Sequence, residues 1–153
     1  MTIRLATVDD LDEVIRVRRD FNDEWHGHSE AEQAEFEAQL RAYLPGRIES
    51  GSLVVVLGEV GTHLASTAFL LVNEYPANCT IPHGRVGVLL NVYTYPAYRR
   101  QGLGAVVVAA AVAEGRRLGL DVIDLEATDM GRGLYEGAGF EVREYTPMRL
   151  SLT

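Results

Sequence analysis

Apolar positions recur along this chain with two different periods, and the switches between them mark most of its elements. After a short β-prone run at residues 2–6 (TIRLA), Leu11, Val14, Ile15, Arg18 and Phe21 fall at helical spacing on one face. Thr7 stands as the N-cap, with Asp10 three positions on. DEWHGH, at 23–28, breaks that period. Ser29 with Glu32 reads as a capping box and opens a second helix through Phe36, Leu40 and Tyr43. Pro45-Gly46 is expected to end or kink it.

From residue 52 the pattern turns strand-like. SLVVVLGEV and HLASTAFLLVNEY read as a hairpin about Gly61, PANCTIPHG as a loop, and RVGVLLNVYTY as a long strand stopping at Pro96. A helix is predicted from about Gly104 to Leu118, with Gly119 as its C-cap. DVIDLEAT then reads as a strand, MGRGLYEGAG as a short helix and FEVREYTPMRL as a last strand. The unit at 85–127 should hold its two strands parallel across a helical crossover, whereas the earlier strands read as a meander. The expected fold is α/β in one domain, 1–153. It has a mixed, mostly antiparallel twisted sheet of six to seven strands, with helices on both faces. No repeat, low-complexity tract or linker interrupts it.

Composition narrows the function classes. A net charge of −8 and a pI of about 4.9 argue against general nucleic-acid binding, which needs a basic face. Surplus acid suits a cationic small substrate, and equally suits plain solubility. The single cysteine, Cys79, permits no disulfide within the chain and fits a reducing, cytoplasmic setting; in its loop it reads as incidental. The N-terminus carries no apolar signal-peptide core. The longest apolar run, AVVVAAAVA, is too short to span a bilayer, so no membrane partner is expected. His28 and His83 lack metal-ligand spacing, His63 sits by a turn, and no metal is expected.

The chemistry concentrates in YPAYRRQGLGAVV, residues 95–107. Gly102 and Gly104 stand where an apolar helix begins. There, unpaired N–H groups and the positive end of the helix dipole gather, and glycines let backbone approach a ligand. With Arg99 and Arg100 alongside, this suits a phosphate or pyrophosphate. It is not a Walker loop, since no Gly-Lys-Ser/Thr follows. A dinucleotide fingerprint would need Gly or Ala where Val107 stands. It would also open the fold rather than follow a meander, although Asp121 or Asp124 could supply its acidic residue.

Arg99-x-x-Gly102-x-Gly104 resembles the acetyl-CoA pyrophosphate loop, R/Q-x-x-G-x-G/A, of the GNAT superfamily of N-acyltransferases. NVYTYPAYR resembles that superfamily's fourth strand, LYEGAGF (134–140) its late L-Y-x-x-x-G-F motif, and VRRDF echoes an LRxxF pattern in the first helix of one subgroup. The order of elements matches over nearly the whole chain.

The resemblance implies an acetyl-CoA-dependent N-acetyltransferase that moves an acetyl group to a primary amine of a small molecule by direct attack. The backbone amides of Arg100, Gln101, Gly102, Leu103, Gly104 and Ala105 would bind the pyrophosphate, and Arg99 counts among the cofactor-binding residues. Val92, Tyr93 and Thr94 would pair with the pantetheine arm in a wedge between splayed strands, and an N–H near Val92 would polarise the thioester carbonyl. Tyr135 matches the tyrosine that protonates the leaving thiolate; read without the motif, it is an amphipathic core residue. Thr128 stands where the family often has a cofactor-binding Asn, and Gly131 where it has a small Ala. For the base, Glu126 on the predicted fifth strand and Glu24 beside His26 are the candidates, and a water chain would also serve. Trp25 and Tyr43 could wall the acceptor site. Two rivals stay open: acetylation of a protein or peptide, and a non-catalytic acyl-CoA sensor. Many relatives pair through their late strands, which admits a homodimer.

Overall fold

A computed structural model describes residues 1–153. Five strands form one sheet in chain order: β1 (Thr2–Leu5), β2 (Leu53–Val60), β3 (His63–Glu74), β4 (Arg85–Thr94) and β5 (Val122–Asp124). The first three junctions are antiparallel, and β4 with β5 is parallel, as the sequence led us to expect. Between them run α1 (Leu11–Trp25), α2 (Glu30–Ser50), α3 (Leu103–Arg117) and the short α4 (Arg132–Gly137).

The strands bury both faces, so their apolar runs are nearly continuous. On one face Val14, Ile15 and Val17 of α1 and Leu40 and Leu44 of α2 pack on Leu53, Val55, Leu57, Leu64 and Phe69. On the other, Val107, Val108 and Ala111 of α3 pack on Val56, Ala68 and Leu89. A capping box at Thr7/Asp10 opens the single 3-10 turn Val8–Asp10 that leads into α1, and one at Ser29/Glu32 fixes the entry of α2. Gly119, with a φ of 68°, ends α3 by donating to the Arg116 carbonyl.

Three expectations need correction. The helix does not stop at Pro45: α2 runs on to Ser50. Proline removes one helical donor, but buried Leu40 and Leu44 and the half-buried Ile48 keep one packed stripe across it, and packing carries the helix through. The sheet has five strands rather than six to seven, because 140–150 forms no strand. Pro147 cannot donate to a ladder, β5 offers an edge of only three residues, and Val142, Tyr145 and Met148 stay exposed. Finally, β5 ends at Asp124, so Glu126 lies beyond the strand on an exposed loop.

Candidate active site

The site grows from an irregularity in β4. Phe69 faces Leu90 and Thr67 faces Tyr93, so Asn91 and Val92 together stand opposite the single residue Ala68. This is a β-bulge, and Asn91 takes the left-handed backbone it requires, with φ of 51°. The extra residue flips the alternation. Before the bulge Leu89 faces α3 and Leu90 faces α1; after it Val92 faces α3 and Tyr93 faces α1.

The bulge coincides with a parting of strands. Pairing with β5 covers only Val86 to Val88, against Val122 to Asp124. Beyond Val88, β4 keeps β3 on one side and has no strand on the other, through Val92, Tyr93 and Thr94. The opening is lined on the α3 side by Val92, Leu125, Leu134 and Tyr135, which pack on one apolar cluster. Tyr135 is half-buried against Phe140, ring centroids 6.1 Å apart, and burial pushes its phenol above the ordinary value.

At the end of β4 a short turn at Pro96–Tyr98 leads into the loop. Arg100 and Gly102 are both left-handed, with φ of 63° and 77°, and α3 starts at Leu103 with no side-chain cap. From Arg100 to Ala105 the backbone N–H groups donate to nothing within the chain; the first helical bond is Val106 to the Gly102 carbonyl, at 3.4 Å. Consecutive unpaired donors at a helix N-terminus form a cradle for an anion and fit a pyrophosphate.

The Arg99 side chain turns the other way. Its Nε donates to the Thr94 carbonyl at 2.9 Å and its Nη2 to both Glu24 oxygens at 2.8 and 2.6 Å, with the guanidinium 5.6 Å from the Tyr93 ring. Arg99 holds the Glu24 carboxyl below its usual range. Thus α1 lies along β4 by successive turns: Arg18 reaches Asn91, Phe21 meets Tyr93 edge-on, Tyr95 donates to Asp20 at 2.7 Å, and Glu24 meets Arg99.

The remaining candidates scatter. The Thr128 hydroxyl accepts from the Gly131 N–H at 3.1 Å and so helps turn the chain into α4. Glu126 is exposed, and no residue of the chain pairs with it. Trp25 is exposed at the end of α1, while Tyr43 stacks under Arg47. His83 is tied to Asp121, through ring and backbone, closing the 75–84 loop onto the start of β5. The sequence places Arg18 on the apolar face of the first helix and Asn91 in the fourth strand, but assigns neither a role in the site. A polar Asn inside a β-branched strand was their signal, since Asn tolerates left-handed backbone and suits a bulge.

The family model described as Acetyltransferase (GNAT) family matches residues 14–140. Among solved structures, a predicted acetyltransferase with acetyl-CoA from Clostridium acetobutylicum superposes with a TM-score of 0.86 at 24% identity, covering 99% of this chain and 96% of its own. A GCN5-related N-acetyltransferase from Ralstonia eutropha JMP134 reaches 0.82 at 28% identity, with 97% of each chain covered. Glucosamine-6-phosphate N-acetyltransferase from Arabidopsis thaliana gives 0.68 at 15%, over 98% and 99%. No curated protein matched the chain. No helix is long and apolar enough to cross a membrane.

Proposed function

We propose, from the premise that this chain belongs to the GNAT acetyltransferase family, that it is an acetyl-CoA-dependent N-acetyltransferase for a primary amine of a small molecule. The observation that carries this reading is the run of unpaired amides from Arg100 to Ala105, set at the end of a strand whose edge lies open beside it. Backbone N–H groups there would take the pyrophosphate, and the free edge of Val92 to Thr94 would take an amide-bearing arm as an added strand would. Acetyl-CoA supplies the thioester whose acetyl group is moved. Backbone N–H groups of β4 at the bulge, Val92 among them, would bind the carbonyl oxygen.

The amine nitrogen forms the new N–C bond as the C–S bond breaks, and the sulfur leaves with the electron pair. Tyr135 is the proton donor to that sulfur: its raised pKa keeps it a phenol across neutral pH. Glu24, held ionised by Arg99, draws the ammonium form of the acceptor toward the site. Glu126, free of any partner, takes the proton that the amine must lose, through water. Thr128 supports the turn in front of α4 that presents Tyr135. The acidic chain favours a cationic acceptor.

Isothermal titration with acetyl-CoA, and with NADH as control, tests the reading. Micromolar acetyl-CoA binding without NADH binding is expected. Absence of acetyl-CoA binding would overturn it.

A further inference from the structure

Arg18 lies on the inner face of α1, half-buried, beside the β4 bulge. No carboxylate pairs with it. Of its five N–H donors one is used, Nη1 to Asn91 Oδ1 at 3.2 Å, and the guanidinium stands 5.9 Å from the Phe21 ring. Asn91 is only 3% exposed. Arginine can only donate, so Asn91 must turn its oxygen toward Arg18, and its Nδ2 is left buried without an acceptor. A buried donor left unsatisfied is unfavourable, and a half-buried cation without a counter-charge adds to that. Burial alone already weakens this guanidinium's hold on its proton. The buried Asn91 Nδ2 without an acceptor, beside a half-buried guanidinium that has free N–H groups and no carboxylate partner, is complementary to one acceptor bearing negative charge.

The place of that acceptor follows from the strand. Asn91 directly precedes Val92, about 3.8 Å from it along the backbone. An anion held here would sit beside the bulge and on the α1 face, away from the amide cradle at the start of α3. It therefore belongs to the second substrate rather than to the CoA phosphates. One guanidinium and one amide suit a planar monoanion. The neighbouring acids argue against a dianion, since Asp20 and Glu24 line the same face of α1.

We propose that Arg18 and the Nδ2 of Asn91 anchor a carboxylate of the acetyl acceptor, so that the acceptor is a small amino acid or a similar amine bearing one carboxylate. The proposal rests on the acetyltransferase reading above. The carboxylate end binds at Arg18, and the ammonium end is drawn to the acids of the next turns.

The test is steady-state CoA release with a panel of L-amino acids, each set against its carboxamide and the amine lacking the carboxyl group. The wild type is expected to prefer the acid by 100-fold or more in kcat/KM for at least one set. Arg18→Gln should lose 10²- to 10³-fold on that acid while its kcat/KM on the carboxamide moves by less than threefold, with acetyl-CoA affinity unchanged. Arg18→Lys, which keeps the charge without the planar fork, should fall between. Equal losses on acid and carboxamide would make Arg18 a structural residue and overturn the anchor. Acetyl-CoA binding with turnover of neutral amines or peptides alone, or of no carboxylate-bearing amine, would overturn the anchor and leave the acetyltransferase reading standing. Failure of the wild type to bind acetyl-CoA would bring down both.

Discussion

Arg99 grips Glu24 through both carboxylate oxygens, at 2.8 and 2.6 Å, although its own backbone leads into the glycine loop before α3. The side chain thus ties the loop to α1, across the face where Tyr93 and Tyr95 lie. A carboxylate so held is ionised and a weak proton acceptor. For this reason Glu24 is assigned to attraction of the ammonium and Glu126 to proton removal.

Replacing Glu24 with Gln should therefore raise KM for the amine severalfold and leave kcat within threefold. Both partners are about a third or more exposed, at 32% and 41%, so the pair is worth at most about 1 kcal/mol to stability. The Glu24 pKa is lowered on folding from its ordinary 4.5, so that contribution is present above pH 4.5 and is lost as pH falls through the folded value. Thermal unfolding of wild type and Glu24→Gln should differ near pH 7 and converge toward pH 3. A gap that stays constant with pH would mean the ion pair is not its source.

Tyr135→Phe should lower kcat by one to a few decades at saturating acetyl-CoA, the range expected of a general acid. Because burial raises the phenol's pKa, any loss of wild-type rate from Tyr135 deprotonation should set in at higher pH than it would for an ordinary tyrosine. The substitution keeps the ring against Phe140, so stability should change little. Unchanged turnover would remove Tyr135 from the reaction.

Much of this was legible in the chain. Period 2 against period 3.6 located the five strands and the first three helices, and the Ser29/Glu32 capping box fixed the start of α2. The order G-x-G then L-Y-x-x-x-G-F pointed to the cofactor. What misled was local chemistry that tertiary contacts override. Pro45 looks like a stop, yet a stripe from Leu40 to Ile48 buries the helix on both sides of it. The tail at 140–150 alternates like a strand, yet finds no edge to join beyond the three residues of β5. Arg18 was legible as a position on the apolar face of the first helix, but what it meets there was not: its partner Asn91 stands on a strand 73 residues away.

The close approach of α3 to β5 depends on Gly115. A Cβ there would lie 2.7 Å from Ile123 Cδ1 and 3.4 Å from Leu120 Cδ1. Gly115→Ala must push Ile123 aside, and since β5 holds only Val122 to Asp124, the strand has little pairing to resist with. Overpacking of this kind costs about 1–3 kcal/mol. The expected outcome is a lower midpoint in urea, with acetyl-CoA affinity reduced as the opening beside β4 deforms. A variant as stable as wild type would show that Ile123 can turn away freely.

Gly102 and Gly104 make a sharper pair of experiments, because the same substitution meets opposite constraints. Gly102 has a φ of 77° and nothing within 4 Å of its missing Cβ, so alanine meets no clash but an unfavourable backbone, of roughly 1–2 kcal/mol. Relief of that strain would turn the neighbouring amides out of the cradle. Gly104 lies inside α3, and its Cβ would make ordinary contacts with Leu134 at 3.5 Å and Thr94 Oγ1 at 3.7 Å. Alanine in a helix is favourable by roughly 0.5–1 kcal/mol. Titration with acetyl-CoA should therefore show tenfold or greater weakening for Gly102→Ala and less than threefold for Gly104→Ala. In thermal unfolding Gly104→Ala should equal or exceed the wild type, while Gly102→Ala falls below it. Were both variants to bind acetyl-CoA like the wild type, the phosphates would have to lie elsewhere than on the amides from Arg100 to Ala105. A loss at Gly104 alone would instead mean that the ligand backbone passes closer to the helix start than the left-handed turn before it.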